Sequence, residues 1–414
     1  MRTLGSASPL SPLLQLLLVA GVVTAAPAVA QATHLVGPGG FPQITDAIAA
    51  AQPGDLILVQ QGTYLPFDVP IGVRIVAPNG ASVTPTAGAN FTRQVTPPAG
   101  QQATIAGLIF RTVPFYPPAI WPVKLNITGH VVFTDCYFTS NNADYPGSPT
   151  VCNGDVQFDR CVWLGLDDCL QISGGRVQLN ECSLTGIWTS YNPPPARAIL
   201  ITGGELAVFS SDLRGSSGAP SGSCPGSAGI ELLGSARLRL VDSTVLGGDG
   251  WPGCPGASGV ANSTGFAVLH ARSQVVGGTG AFSVQEPPFT GLEVAAPLVG
   301  GFGPIDGPGV GGPYTGTVIG PVTGIAAVGL TFAREPAVQL PFLAQSVHFN
   351  PADVIAYQWG VTSAPLPGWP GFGTFTIQTA SLSQAMQGLE FWLHPLVWDG
   401  GALQVGPTLG GVVR

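Results

Sequence analysis

Charge is scarce in this sequence, and positive charge most of all. Charged residues make up 9% of the 414 residues, the formal net charge is −8, and Lys124 is the only lysine. Proteins that bind nucleic acids neutralise phosphates with clustered Lys and Arg side chains. An acidic chain with a single lysine has no such cluster, so we expect no nucleic-acid partner.

Metal-binding patterns and long apolar runs are also lacking. There is no Cys-x-x-Cys pair and no histidine-rich cluster, so the sequence indicates no metal ion and no cofactor. A membrane-spanning helix needs about 20 mostly apolar residues, and no run of that kind follows Ala30. We therefore expect no transmembrane segment in the mature chain.

The N-terminal segment, 1–30, has the parts of a secretory signal peptide. Arg2 supplies the positive start, Leu13 to Ala25 an apolar run, and Ala28-Val29-Ala30 a small-residue cleavage site. The mature protein is expected to begin at Gln31. It would be secreted, or held at the cell surface or in the periplasm, where disulfide bonds can form.

One short phrase recurs in the middle of the chain, at His130–Cys136, Asp155–Cys161 and Arg176–Cys182. In later copies serine takes the cysteine position. The resulting Cys/Ser column consists of Cys136, Cys161, Cys182, Ser211, Ser243 and Ser273. Its members recur at intervals within the range of roughly 20–50 residues that indicates a solenoid of stacked coils.

Each phrase alternates apolar and polar residues, as in Val131 and Phe133, which predicts a strand with one face in a core. A tight turn is expected before each column position, at Asp135, Arg160, Glu181, Ser210 and Asp242. The column cysteines could form a metal or redox site. We interpret them instead as small core side chains, because serine replaces them.

The mature chain opens with a helix pattern. Ile44, Ala47, Ile48 and Ala51 share one face of a helix expected over Phe41 to Ala51. The pattern I-x-x-A-I followed by P-G-D-x-I-x-V-x-x-G-T-Y resembles the opening of right-handed parallel β-helix proteins of the pectin-lyase-like superfamily. The resemblance implies that this helix caps the coil, with Ile44 and Ile48 covering the first rung.

The expected fold is therefore all-β. It is a right-handed parallel β-helix over residues 31–285, with an N-terminal capping helix and a small β-rich C-terminal module. Residues 286–321 are rich in Gly and Pro and are expected to form a linker. Residues 322–414 contain several strand-like runs and would form the module.

Asp167-Asp168-Cys169 resembles the D-D-C motif of the polygalacturonase family, and Asn142-Ala143-Asp144 lies where that family has N-T-D. The resemblance implies a catalytic group in which Asp168 is the acid, with Asp144 and Asp167 on the base side. The chain departs from the family because no G-H-G or R-I-K motif follows. A pectate-lyase-like reaction would instead use Arg160 or Arg197 as base.

Inserted segments enter the coil at one phase, just after the Cys/Ser step, so they are expected to project from one lateral face. They carry aromatic and acidic residues that suit a polysaccharide: Tyr145, Trp188, Tyr191, Trp251 and Asp249. The other interpretation is that the loops fold back and their aromatic rings cover the coil.

Seven cysteines leave at least one unpaired within the chain. Cys224-Pro-Gly and Cys254-Pro-Gly occupy equivalent positions in a duplicated segment, and we predict a disulfide between them.

Two functions stay open. The favoured one is a non-catalytic exported protein that binds carbohydrate or another surface component, and the alternative is a polysaccharide-degrading hydrolase or lyase.

Overall fold

The computed structural model describes most of residues 31–295 and parts of the chain beyond. The described ranges are 31–84, 92–111, 124–139, 150–165, 168–187, 196–218, 225–265, 268–271, 273–280, 285–291, 293–295, 300–302, 313–321, 323–332, 354, 356–362, 364–365, 372–381, 390–398, 403–405 and 409–412. The predicted signal peptide lies outside them, as do Asp144, Tyr145, Asp167, Trp188, Tyr191 and Cys224. No helix that could cross a bilayer occurs within these ranges.

The described ranges hold one helix, α1 (Ile44–Ala50). The strands of the N-terminal part, in chain order, are β1 (Thr33–Val36), β2 (Leu56–Val59), β3 (Thr63–Tyr64), β4 (Arg74–Val83), β5 (Thr92–Val95), β6 (Gln102–Arg111), β7 (Lys124–Ile127), β8 (His130–Thr134), β9 (Tyr137–Thr139), β10 (Thr150–Asp159), β11 (Val162–Gly165), β12 (Leu170–Asn180), β13 (Ser183–Gly186), β14 (Ile199–Ile201), β15 (Glu205–Phe209), β16 (Asp212–Arg214), β17 (Ile230–Leu232), β18 (Arg237–Val241), β19 (Thr244–Leu246), β20 (Val260–Asn262), β21 (Val268–Ala271), β22 (Gln274–Val276), β23 (Phe289–Thr290) and β24 (Glu293–Ala295).

These strands stack in parallel, each on the equivalent strand of the next coil. Phe158 lies opposite Phe133 in the coil before and Leu179 in the coil after. Three sheets result. Sheet 1 includes β8, β15 and β18, sheet 2 includes β9, β11 and β13, and sheet 3 includes β7, β14 and β17, while β10 and β12 bend from sheet 3 into sheet 1. The predicted right-handed parallel β-helix is confirmed.

The interior of the coil is filled by stacked apolar side chains. Phe133 and Phe158, both fully buried, stack with ring centroids 5.1 Å apart. Phe138 stacks on Trp163 at 4.6 Å, and Trp163 meets the edge of Phe158 at 4.9 Å. Residues at one depth in successive coils therefore pack on one another, as the alternating pattern predicted.

The turn before each column position has left-handed backbone. The φ angles are 54° at Asp135, 51° at Arg160, 52° at Glu181, 48° at Ser210 and 49° at Asp242. These are the five positions at which the sequence predicted tight turns. Arg160 donates two hydrogen bonds to the carboxylate of Asp135, at 2.9 and 3.0 Å, so an ion pair links two neighbouring turns.

The Cys/Ser column points into the coil. Cys136, Cys161 and Cys182 are buried free thiols, and burial raises the pKa of the Cys161 thiol well above its usual value. Further along, the backbone N–H of Cys182 donates to Ser211 Oγ at 3.0 Å. Ser211 N–H donates in the same way to Ser243 Oγ at 3.2 Å, and Ser243 N–H to Ser273 Oγ at 3.2 Å. These contacts agree with the interpretation of the column as core packing.

The outer face of sheet 1 is polar in β10 and β12, but four of the side chains there are buried. Gln157, Asp159, Gln178 and Asn180 alternate with the core residues, yet each is buried. They bond to one another. Gln157 Nε2 donates to both Asp159 oxygens at 2.8 Å, and Gln178 Nε2 donates to Asn180 Oδ1 at 3.1 Å. Polar alternation in a strand therefore did not mean solvent exposure here.

The capping helix is confirmed, although it begins at Ile44 rather than Phe41. Ile44, Ala47 and Ile48 are its buried residues, as the apolar face predicted. Pro53 and Gly54 end this stretch, and Asp55 then ties it to the first strand. Its buried carboxylate accepts hydrogen bonds from Ala32 N–H at 2.9 Å, Gln52 N–H at 2.8 Å and His34 Nε2 at 2.9 Å.

These contacts make Asp55 a source of pH-dependent stability. Burial by itself raises the pKa of this carboxyl, but the three hydrogen bonds outweigh it and lower the pKa below 3.8. A carboxyl whose pKa is lower in the folded than in the unfolded chain stabilises the fold at any pH above the unfolded-state pKa. This stability is lost as the pH falls through the folded-state pKa.

We expect Asp55→Asn to lower the free energy of unfolding by about 2 kcal/mol at pH 7. Urea unfolding should show that the difference in the free energy of unfolding between this variant and wild type becomes smaller below pH 3.8. A difference that stays constant with pH would contradict the role assigned to Asp55.

The parallel ladder extends beyond the boundary predicted at Gln285. Strand β23 pairs with β20, and β24 pairs with β21, so coil geometry continues to Ala295. The sequence did not indicate this continuation, because Pro287 and Pro288 interrupt the alternation of apolar residues. The segment predicted as a linker, 286–321, also contains two strands of the C-terminal module.

The C-terminal strands form two antiparallel sheets. They are β25 (Gly300–Phe302), β26 (Pro313–Pro321), β27 (Ile325–Thr331), β28 (Ala356–Val361), β29 (Ala364–Pro365), β30 (Phe372–Ser381), β31 (Glu390–Trp398), β32 (Leu403–Val405) and β33 (Leu409–Val412). Strands β25, β26, β29 and β30 form one sheet, and β27, β28, β31, β32 and β33 the other. Val318 and Ile377 of the first pack with Val328 and Val397 of the second, giving a β-rich unit with its own core.

Candidate functional site

Asp168, the described member of the predicted acid group, lies just before β12 and is only 5% exposed. Its Oδ1 accepts the backbone N–H of Arg197 at 3.2 Å and lies 3.1 Å from Arg197 Nε. Its Oδ2 accepts Gln171 Nε2 at 3.1 Å. Both oxygens of this carboxylate thus contact groups of the protein itself.

Arg197 joins Asp168 to the following coil, because its NH1 lies 2.7 Å from Glu231 Oε2. The three side chains form an ion-pair cluster, Asp168–Arg197–Glu231, across three successive coils. Arg160, the other basic residue considered for a lyase, pairs with Asp135 at a turn between sheets 1 and 2. Since Asp144 and Asp167 lie outside the described residues, the three-acid site stays a prediction.

Sequence reasoning did not find Arg197 and Glu231 as partners of Asp168. Arg197 lies one coil after Asp168, beside the strand that pairs with β12, and Glu231 lies one coil further on. The repeat therefore carried a signal for these contacts. However, the inserted segments vary in length, so spacing alone could not show which residues of successive coils would meet.

Three inserted loops lie side by side, and hydrogen bonds at their bases join them. We call their described parts the stacked loops: 215–218 with 225–227, 247–257, and 277–280 with 285–286. Each closes on itself: Ser227 N–H donates to Ser216 O, Ala257 to Gly248 and Glu286 to Gly278, at 2.9 to 3.0 Å. Each also joins the next loop, since Gly248 N–H donates to Ser227 O at 2.8 Å and Gly278 N–H to Ala257 O at 2.7 Å. The ladder of the coil therefore continues into the loop bases.

The repeated Gly-Gly pairs of this segment have a steric cause. A Cβ built on Gly248 would overlap the carbonyl oxygen of Ser216, and one on Gly278 would overlap that of Gly248. Only glycine lets the backbones approach this closely. The duplication seen in the sequence thus reflects close stacking of adjacent loops.

Trp251 stands at the tip of the second stacked loop with 42% of its surface exposed. Its carbonyl accepts the N–H of Cys254 at 2.8 Å, and Gly253 has φ +95°. A proline at 252 followed by glycine with positive φ is the signature of a type II turn. The tryptophan is therefore presented on a tight turn.

Neighbouring contacts hold this turn in place. Asp249 Oδ1 accepts the backbone N–H of Thr279 at 2.7 Å and its hydroxyl at 2.6 Å. Gly250 N–H donates to Thr279 O at 2.8 Å. Asp249 had been predicted to bond ligand hydroxyls, and the structure gives one of its oxygens a role in fixing the loop. Thr279 was not predicted, although it follows Asp249 by one coil repeat.

Cys254 adds a covalent anchor, because it is disulfide-bonded. Cys136, Cys152, Cys161, Cys169 and Cys182 carry no disulfide bond. Cys224, the predicted partner, lies outside the described residues, so the pairing stays a prediction. It is the one cysteine of the seven that remains as a candidate.

The described residues contain no group of three or more His, Cys, Asp or Glu side chains arranged to hold a metal ion. The other predicted binding residues, Tyr145, Trp188 and Tyr191, are outside the described ranges. Trp251 and Asp249 therefore define the part of the predicted loop face that has known geometry.

Together, coil and loops define a right-handed parallel β-helix protein with stacked loops on its side. No protein-family model matches the chain, and no curated protein matches it. Among solved structures, the chain is similar to the enzymatically active domain of tailspike protein 4 of bacteriophage CBA120. The two are 14% identical, the TM-score is 0.33, and the similarity covers 89% of this chain and 64% of that one. The chain thus spans less than two thirds of that structure's length.

Proposed function

We propose that this chain is an exported, non-catalytic β-helix protein that binds a polysaccharide of a cell surface or matrix through the stacked loops. The observation that supports this most directly is Trp251, a large ring that is 42% exposed yet held by a fixed turn. A side chain positioned before binding loses little conformational freedom in the complex, which favours affinity.

The chemistry of the loop tip suits a sugar. The apolar C–H face of a pyranose stacks on an indole ring, and its hydroxyls bond to carboxylates and backbone groups nearby. Asp249 is exposed and two residues away. The acidic chain, with one lysine, does not suit a nucleic acid.

A polysaccharide-degrading enzyme is the second candidate, and one observation favours it. An arginine does lie beside Asp168, as the pectate-lyase-like alternative would require. Against it, Asp168 is buried and caps a backbone N–H, which is a structural use of a carboxylate. Catalysis would further require Asp144 and Asp167 to converge on the same point.

A glycan array followed by a reducing-sugar assay on each hit separates the two. We expect binding without turnover. In Trp251→Ala, affinity for the best glycan should fall about tenfold or more, as for other buried aromatic contacts of an interface, while the melting temperature stays unchanged because the ring is exposed.

Leu65→Ala is the matched control, since Leu65 is similarly exposed, at 43%, but lies near the N-terminal end of the coil. It should leave glycan affinity unchanged. Turnover of a bound glycan, or equal affinity of the Trp251→Ala variant and wild type, would count against a non-catalytic loop face.

A further inference from the structure

Strand β28 (Ala356–Val361) lies at the edge of the five-stranded sheet of the C-terminal module. Among the described strands it pairs with β27 alone. It is six residues long, whereas the other strands at the ends of the two sheets, β25, β29, β32 and β33, have two to four residues. β28 therefore offers the longest edge in the described part of the module.

The side chains of β28 are exposed on both faces of the sheet. Tyr357, Trp359 and Val361 are 61%, 68% and 45% exposed, and they lie on the outer face of β28. Gln358 points the other way, since it pairs with the core residue Val328, and it is exposed as well. Large apolar side chains are usually far more buried than these. A second strand can therefore approach this edge from the solvent.

The backbone of β28 points hydrogen-bonding groups toward the same side. Thr362 N–H donates to Gly324 O, on the β27 side, at 2.9 Å. N–H and C=O groups alternate between the two edges of an antiparallel strand, so every second residue before Thr362 also bonds toward β27. The N–H and C=O groups of Tyr357, Trp359 and Val361 therefore point to the opposite edge, where no described strand lies.

A second copy of β28 fits this edge when it runs antiparallel about a two-fold axis at Trp359. The register places Trp359 opposite Trp359 and Tyr357 opposite Val361 of the second copy, so the outward backbone groups of both strands meet in hydrogen-bonded pairs. An aromatic ring opposite a β-branched side chain is a favourable pair in antiparallel sheets. On the other face Gln358 lies opposite Gly360 of the second copy, which leaves room for the longer side chain.

We propose that two copies of this chain form a dimer by antiparallel pairing of β28 with β28. The occupant is a second copy because one register satisfies the outward backbone groups of both strands with the same residues. Natural sheet edges are often blocked by Lys, Pro or a bulge, whereas β28 contains neither residue and pairs with β27 without a register shift. A two-fold contact of this kind closes at two copies.

The dimer is expected to be weak and reversible. A single pair of six-residue strands is a small interface, in the class below about 1,200 Å² that is typical of transient complexes, so we expect association at micromolar concentrations. The proposal does not depend on glycan binding, because the stacked loops and β28 belong to different sheets and share no residue.

Sedimentation equilibrium of the full chain from about 1 to 200 µM tests the dimer. Wild type should pass from the mass of one chain toward that of two. Trp359→Lys and Trp359→Glu each place like charges opposite each other at the two-fold axis, so each variant alone should dimerise at least about tenfold more weakly. An equimolar mixture of the two variants places opposite charges there and should recover the dimer. Their melting temperatures should match wild type, since Trp359 is 68% exposed.

Leu65→Lys is the matched control, because Leu65 is a large exposed side chain, at 43%, in the N-terminal part of the coil; it should dimerise as wild type does. Val361→Pro tests the backbone pairing, since it removes an N–H that points away from β27 and so should weaken the dimer without unfolding the sheet. The proposal is overturned if wild type stays monomeric at every concentration, if Trp359→Lys or Val361→Pro dimerises as wild type does, or if the Lys and Glu mixture stays monomeric.

Discussion

Asp168→Asn is expected to lower the free energy of unfolding by about 3 kcal/mol, because it removes one partner of a buried ion pair. Asp168 is 5% exposed and Arg197 Nε lies 3.1 Å from its Oδ1. The neutral amide cannot offset the positive charge of Arg197, which is left with Glu231 at 2.7 Å. The amide oxygen of asparagine can still accept the backbone N–H of Arg197, so the expected loss comes from the ion pair. Urea unfolding followed by circular dichroism measures the loss.

Glu231→Gln is the matched control. Glu231 also pairs with Arg197, at 2.7 Å, but its side chain is 31% exposed. Solvent screens such a pair, so we expect a cost below about 1 kcal/mol. If Asp168→Asn instead left stability unchanged and abolished cleavage of a polysaccharide, Asp168 would be catalytic and the structural role assigned to it would be wrong.

Phe158→Ala is expected to cost about 4 kcal/mol, the range for truncating a large ring in a packed core. Phe158 is fully buried and contacts the rings of Phe133, Phe138 and Trp163. The cavity opens at the centre of the aromatic stack, where three coils meet. Neighbouring coils contact only each other in a solenoid, so the damage should be local at first.

Hydrogen–deuterium exchange checks both parts of this expectation. Amides of β8, β10 and β12 should lose protection, while those of α1 and β2 keep it at low denaturant. Phe332→Ala is the control, because Phe332 is 46% exposed and its truncation should change stability by less than about 0.5 kcal/mol. Uniform loss of protection along the whole coil would show that the solenoid unfolds as one unit.

The coil could be predicted from the sequence because each rung repeats the same physical requirements. The left-handed turns at Asp135 and Glu181 and the buried column at Cys161 and Ser211 occur where the repeat placed them. Turn conformation depends on residues within one coil, and core packing depends on the adjacent coils. A short repeated sequence is therefore enough to predict both.

Three features could not be predicted in this way. Gln157 and Asp159 look like solvent-facing residues, and only the folded chain shows that they are buried. The contact of Asp168 with Arg197 depends on the length of the inserted segment between them. The outer face of β28 depends on which side of a strand meets the core, and alternation was not clear enough in Ala356–Val361 to decide that.

The serine column has a consequence for the size of the molecule. Ser211 Oγ accepts from Cys182 and donates to Phe209 O at 2.7 Å, and Ser243 Oγ does the same for Ser211 and Val241 O. In each of these coils the serine Oγ accepts the backbone N–H of the column residue in the preceding coil. The backbone N–H of the same serine donates to the serine Oγ of the next coil. A copied unit of this kind would fit between two others with the hydrogen bonds of the column kept, so the chain can grow by duplication. Each added unit would lengthen the lateral surface by about 4.8 Å and leave both ends of the coil unchanged.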